Sequence, residues 1–334
     1  MKFVWLLLLT AALFLLNLFI GSVDIPAREV MAILTGTDTG AEGPYGFIVV
    51  GSRLPQAVTA LLAGAALTVS GLMLQTAFRN PLAGPSILGI TSGASLGVAL
   101  VMLLLGGSVS AAGFTIGGNL AVLAGAIAGS IAVMGVLLLL SVWLKNGLML
   151  LIAGIMVGYL TSSVIMLLNY MASAEGVQSY TMWGMGNFNG VSLTQLPFFS
   201  VTVAAGLLLA VLLVKPLNII LLGENYARNL GVSMQRVRNM LLGATGILTA
   251  VVTAFCGPIS FIGLAVPHIV RMIFRSADHR ILMAGCIITG GCTGLLCNLI
   301  CVVPADIILP LNGVTPLIGV PVILYVILKE RIHR

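Results

Sequence analysis

Charge is what this sequence has least of. Asp, Glu, Lys and Arg make up 7% of its 334 residues against 59% hydrophobic, and a mean hydropathy of +1.17 does not suit a water-exposed surface. A phosphate-cradling loop is also absent: none of the four lysines follows a glycine, so G-x-x-x-x-G-K-[ST] does not occur. The chain is therefore not expected to hydrolyse ATP alone. The five cysteines (Cys256, Cys286, Cys292, Cys297, Cys301) contain no CxxC pair and have no histidines close by. They read as small buried residues, with a soft-metal conduit through Cys297 and Cys301 as the alternative. GITSG at 89–93 is no G-x-S-x-G elbow, and the only span-edge histidine is His268, which argues against an intramembrane serine protease. No carboxylate falls convincingly in mid-membrane, where a proton-driven carrier needs one to couple ion and substrate.

What is there is apolar sequence in repeated runs. Between charges and Gly/Pro/Asn clusters, ten spans are marked near 3–20, 55–78, 87–105, 119–142, 147–169, 195–214, 239–256, 258–273, 281–303 and 316–328. The first is longer than a signal-peptide core of about 7 to 15 residues and lacks a clear cleavage site, so it counts as a span. Connecting segments are too short for a soluble domain. The expectation is an all-α integral membrane protein, residues 1–334 forming a single transmembrane domain.

Around 250–270 the sequence allows one long span or two hinged at Gly257 and Pro258. Charge decides: with two spans and the N-terminus inside, thirteen of the fifteen basic residues are cytoplasmic and only Arg28 and Arg53 lie outside. One merged span leaves seven inside against eight outside, erasing the asymmetry that orients membrane helices. Both termini are then cytoplasmic. The basic balance, pI near 9.3, is a topology signal rather than a nucleic-acid one, because no basic stripe with interleaved aromatics is present. Asp24, Glu29, Asp38, Glu42, Glu175 and Asp306 fall outside.

Two ladders of small residues, Gly89/Gly93/Gly97 and Gly117/Ala121/Gly125/Gly129, are spaced for close helix approach. Residues 26–34 read as a short outer surface helix, and 170–194 as a second outer segment with Tyr180, Trp183 and Phe188 at the interface. A faint echo between LLAGAALT (61–68) and LLGATGILT (241–249) suggests an inverted repeat.

Three punctuated segments read as lying at cytoplasmic ends: FRNPLAGPSILG (78–89), GENYARNLGVSMQRVR (223–238) and GPISFIGLAVPHIVRMIFRSADHR (257–280). Turns and positive-inside anchors explain the first and third. The second has more polar residues than a tether needs, and suits docking of another protein.

At these segments the chain resembles the permeases of type II ABC importers, the FecCD-like group that carries iron-siderophore complexes, haem and cobalamin across the bacterial inner membrane. The likeness runs nearly end to end, through RLP (53–55), LLAGAALTVSG (61–71), RNPLAGPSILGITSGASLG (79–97), WGMGNFNG (183–190), GENYARNLG (223–231), GPISFIGLAVPHIVR (257–271) and GVTPLIGVPVIL (313–324). It implies a homodimer around a central path, alternating access, and two ABC ATPase subunits on the cytoplasmic side that hold the ATP and Mg. No cofactor is implied for this chain itself.

The same resemblance implies a coupling loop at about 215–238, with Gly223, Glu224, Ala227, Arg228 and Gly231 meeting the ATPase. Asn80, Pro81, Gly257, Pro258, Pro267, His268 and Arg271 would shape the adjoining inner surface. A periplasmic or lipid-anchored substrate-binding protein would dock on Arg53. The chain departs from the pattern at Gln56, where a second arginine is common, at Asn298, where an aspartate is frequent, and near Val302, where another arginine is often found. The commonest cargo of the group is an iron-siderophore, with cobalamin and haem next. An ion-coupled secondary transporter is the alternative from another class.

Overall fold

The structure is a computed structural model that describes residues 1–36, 43–106, 108–111, 114–144, 147–223, 229, 231, 233–304 and 307–332. Its long helices are α1 (Lys2–Phe19), α4 (Leu54–Ala77), α6 (Gly118–Trp143), α7 (Gly147–Met171), α11 (Met234–Cys256) and α13 (His279–Val302). All six are long and apolar enough to cross a membrane. A pair bent by 44°, α9 (Leu196–Leu212) and α10 (Val214–Leu221), passes that test as one unit. Three shorter apolar helices complete the set: α5 (Ile90–Ala99) with its π-helical extension to Leu104, α12 (Ile262–Phe274) and α14 (Leu311–Ile332). These are the ten segments marked in the sequence.

Short elements lie between them. Helix α2 (Ala27–Thr35) ends on Gly36 in the left-handed region. Helix α3 (Pro44–Ile48) runs through a π-helical turn (Val49–Arg53) into α4. Strands β1 (Ser108–Ala111) and β2 (Phe114–Gly117) pair antiparallel in a hairpin that an all-α reading does not contain, and α8 (Ala174–Gly184) is capped by Ser173, whose Oγ accepts the Gly176 N–H.

The break at 257–261 reverses the chain. Helix α12 runs beside α4 in the same direction, with Gly263 against Leu67 and Gly71 and Arg271 reaching Gln75. Helix α13 then runs the opposite way, His279 beside Thr76 and Asn298 beside Gln56. Lys2, Arg79, Lys215, Arg238, Arg271 and Arg280 thereby gather at one end of the bundle, called here the basic end. Arg28 and Arg53 go to the other.

Lipid tails are as apolar as leucine, so a membrane bundle gains cohesion from tight backbone packing more than from excluding water. Helix α4 is the buried centre of that packing. It crosses α13 where Gly64 faces Gly290 and Gly294 faces Ala60, and α12 where Gly71 faces Gly263; a Cβ at Gly64, Gly71 or Gly294 would fall on a backbone carbonyl. The Gly263 carbonyl is free to lie there because its helical donor would be residue 267, a proline without an N–H. The two sequence ladders face one another, Gly93 on Gly129 and Gly97 on Gly125, and so join α5 to α6.

A single methyl at the α4–α12 crossing should therefore destabilise the fold. Gly71→Ala is expected to cost about 2 kcal/mol or more through overpacking, read as a lower unfolding temperature in detergent. Gly135→Ala on α6, where an added Cβ meets nothing within 4 Å, should leave it unchanged.

Candidate functional site

At the basic end α4 stops at Ala77, because the chain turns through Arg79 in the left-handed region (φ 46°) and then meets Pro81. Asn80 sets the turn: its Oδ1 accepts the Leu82 N–H at 2.9 Å, and its own N–H donates to the Gln75 carbonyl at 3.1 Å. His268 Nε2 lies 2.8 Å from the Pro81 carbonyl. A carbonyl only accepts, so this ring nitrogen carries the proton. Arg271 donates to Gln75 Oε1 at 2.6 Å, while Gln75 Nε2 donates to the Leu264 carbonyl at 3.0 Å. Hydrogen bonds thus link Asn80 and Arg271 to Gln75 and His268 to Pro81, while Pro267 is buried inside α12.

Helix α10 leads into the polar island and is fastened on both sides. Arg79 donates to the Ile220 carbonyl at 3.1 Å. Asn218 donates to Asp278 Oδ1 at 2.7 Å and accepts from the backbone N–H and Nδ1 of His279 at 2.8 and 2.9 Å. The buried His279 ring also meets Thr76 Oγ1 at 2.8 Å. After the island, Ser233 caps α11 by accepting the Arg236 N–H. Arg238 donates to the Ser141 carbonyl and to Gln235 Oε1, both at 2.6 Å, tying α11 to the end of α6. Gly223 and Gly231 take positive φ of 117° and 79°, a region that disfavours a side chain. Glu224, Ala227 and Arg228 lie outside the described residues.

The remaining two inner-surface residues need correcting. Gly257 and Pro258 sit at the opposite end of α11 from Ser233, against the segment that follows α8: a Cβ on Gly257 would come within 2.5 Å of the Trp183 carbonyl and 3.2 Å of Gly186 Cα, and the Pro258 carbonyl accepts from Asn312 Nδ2. The ten residues of α12 from Ile262 to Arg271 then carry the chain away from them by about 15 Å. Their motif is continuous in sequence but connects two ends of the molecule.

Arg53 needs correcting as well. Only 4% of it is exposed. Its guanidinium donates to the carbonyls of Leu18 (3.0 Å), Phe19 (2.8 Å) and Val23, closing the C-terminus of α1 where helical carbonyls lack partners. An arginine so engaged is a structural cap, not a free docking charge.

Two of the departures turn out to be one feature: Gln56 Nε2 donates to Asn298 Oδ1 at 2.9 Å, and Asn298 Nδ2 to Asn17 Oδ1 at 2.7 Å. Asn17 in turn donates to the carbonyls of Leu13 and Leu295 at 2.8 and 3.2 Å. A neutral amide chain joins α1, α4 and α13 there. Val302 is buried, and the five cysteines are buried free thiols. What the geometry of the described residues provides is fastened helices on either side of a polar segment.

The FecCD transport family matches residues 8–329. This chain belongs to that family. It is 36% identical over 282 residues to the vitamin B12 import system permease protein BtuC of Citrobacter koseri, covering 84% of this chain and 82% of the relative. The BtuC of Salmonella paratyphi A is 35% identical over 279 residues, 83% and 82% covered. A solved structure described as an inward-facing conformation of a metal-chelate type ABC transporter superposes with a TM-score of 0.84 at 28% identity, covering 98% of both chains. This FecCD chain is accordingly the multi-pass membrane permease of an ABC importer.

Two outcomes follow from the fastened groups. Arg53→Leu leaves three carbonyls short of a donor and should cost roughly 2 to 3 kcal/mol, seen in thermal unfolding. Arg53→Glu should do the same, with partner binding falling only as the folded fraction falls. Asp278, outside the spans, is held below the ordinary carboxylate range by the Arg280 backbone N–H and the Asn218 amide. A depressed carboxylate stabilises the fold above its unfolded value of about 3.9 and loses that contribution as pH falls through its folded value. The unfolding temperature of the wild type should therefore drop more steeply than that of Asp278→Asn between about pH 5 and pH 3.

Proposed function

We propose that two copies of this chain form the membrane path of the importer in a bacterial inner membrane, basic end toward the cytoplasm. Each copy takes an ABC ATPase at the 223–238 island. The observation that carries this reading is the fastening of the island on both sides, through Arg79 and Asn218 before it and Arg238 after it. A segment held to α4, α6 and α13 can pass a displacement into the bundle; a loose tether would absorb it.

In this reading Gly223, Glu224, Ala227, Arg228 and Gly231 make the contact, and the surface of Asn80, Pro81, His268 and Arg271, shaped by Pro267, lies beside it. ATP and Mg belong to the partner ATPase. A substrate-binding protein delivers cargo at the other end, where it must dock without Arg53. The path alternates between outward and inward exposure as nucleotide is bound and hydrolysed.

The cargo we assign is a metal chelate, and first among chelates a corrinoid, because relatives at 35 and 36% identity are named vitamin B12 permeases. An iron-siderophore, the group's commonest cargo, has only that base rate behind it. Purified permease, ATPase and binding protein in proteoliposomes should accumulate radiolabelled cyanocobalamin only with ATP, and Arg228→Glu should weaken ATPase assembly. Accumulation of a ferric siderophore instead would replace the cargo and keep the mechanism; uphill uptake driven by an ion gradient without the ATPase would overturn the mechanism.

A further inference from the structure

Three motifs far apart in sequence meet at the end of the bundle away from the basic residues: WGMGNFNG (183–190) after α8, the GPIS break (257–260), and the start of α14 at 311–313. Backbone contacts begin the junction. The Asn187 N–H donates to the Cys256 carbonyl at 2.9 Å, Leu311 to Gly186 at 3.3 Å and Asn312 to Met185 at 3.1 Å. Gly186 and Gly257 both take positive φ, 71° and 75°, and abut each other.

The side chain of Asn312 lies between the three segments. Its Nδ2 donates to the Gly184 carbonyl at 3.0 Å and to the Pro258 carbonyl, while its Oδ1 accepts the Ser260 N–H at 3.2 Å. The two carbonyls can only accept and the amide N–H can only donate, so one orientation of the carboxamide satisfies all three. Among side chains of this length, asparagine alone offers two donors and an acceptor in that arrangement. Aspartate would point a carboxylate at two carbonyls, and leucine would leave three backbone groups unpaired.

The junction also borders a cavity. Trp183, Asn187, Gln195, Asn119 and Gly257 line a space of about 240 Å³, so whatever moves α8 relative to the break changes its wall. Phe261, strained at φ 66°, closes the break and packs on Gly319 of α14, so α14 backs the junction from two points, Asn312 and Gly319.

We propose that Asn312 is a positioning residue for transport. It makes the end of α8, the 257–260 break and the start of α14 move as one body, so that displacement of α12 and α14 from the basic end reaches the α8 wall of the cavity. This rests on the ABC importer reading above.

The test uses the full permease assembled with its ATPase in nanodiscs, spin-labelled through Ser179→Cys on α8 and Leu317→Cys on α14, both exposed; the native thiols are buried. With Asn312 present, the distance distribution between the labels should stay narrow and unshifted from the nucleotide-free to the vanadate-trapped state. In Asn312→Leu and Asn312→Asp it should broaden and shift on trapping, while ATP hydrolysis per folded complex stays at the wild-type rate. Separation of the labels in the unsubstituted protein overturns the proposal, as does a narrow distribution in both variants. So does a loss of order and ATP hydrolysis in step with the folded fraction, which marks a merely structural role. Failure of the unsubstituted permease to bind any ABC ATPase would instead sink the importer reading itself.

Discussion

The close approach of α4 to α12 and α13 is the constraint on which the rest depends. In water a helix core is assembled by burying large apolar side chains, but in lipid that gain is small, and contact between backbones has to supply the cohesion. Gly64, Gly71, Gly263, Gly290 and Gly294 remove the side chains that would hold the helices apart. Once α4 is fixed against both neighbours, Gln75 lies within reach of Arg271, Thr76 within reach of His279, and Gln56 within reach of Asn298. Those three polar contacts are in register with the crossings.

The split at 257–261 was legible because charge counting and helix punctuation agreed on it. The pairing of the two glycine ladders was not legible as a pairing, only as two surfaces suited to close approach, since spacing along one helix says nothing of its partner. Arg53 shows the limit most clearly. Sequence places a cation near the end of a span, and only the tertiary path of residues 18–23 reveals that three carbonyls have claimed it. Gly257 and Pro258 were grouped with His268 and Arg271 because one motif contains them all, whereas a helix carries the two pairs to different ends. Asn312 draws no notice in the sequence, because its partners lie more than fifty positions upstream. The β1–β2 hairpin left no readable pattern at all.

Membership in the family settles the class of protein, and the departures within the chain show where it has gone its own way. At the basic end Asn80, Pro81, His268 and Arg271, among the residues that the resemblance marks, are joined to one another and to Gln75 of α4 by hydrogen bonds. At the other end Gln56, Asn298 and Asn17 form a neutral amide chain and Arg53 is a buried cap, while Asp24, Arg28 and Glu175 stay exposed.

The Gln56–Asn298–Asn17 chain has a further consequence for energetics. Each elementary charge displaced through the full membrane voltage involves about 2.3 kcal/mol per 100 mV of electrical work. Three uncharged amides handed from one to the next involve none. Making and breaking these amide contacts moves no net charge through the membrane field, so this set of hydrogen bonds is the same in an energised membrane and a collapsed one.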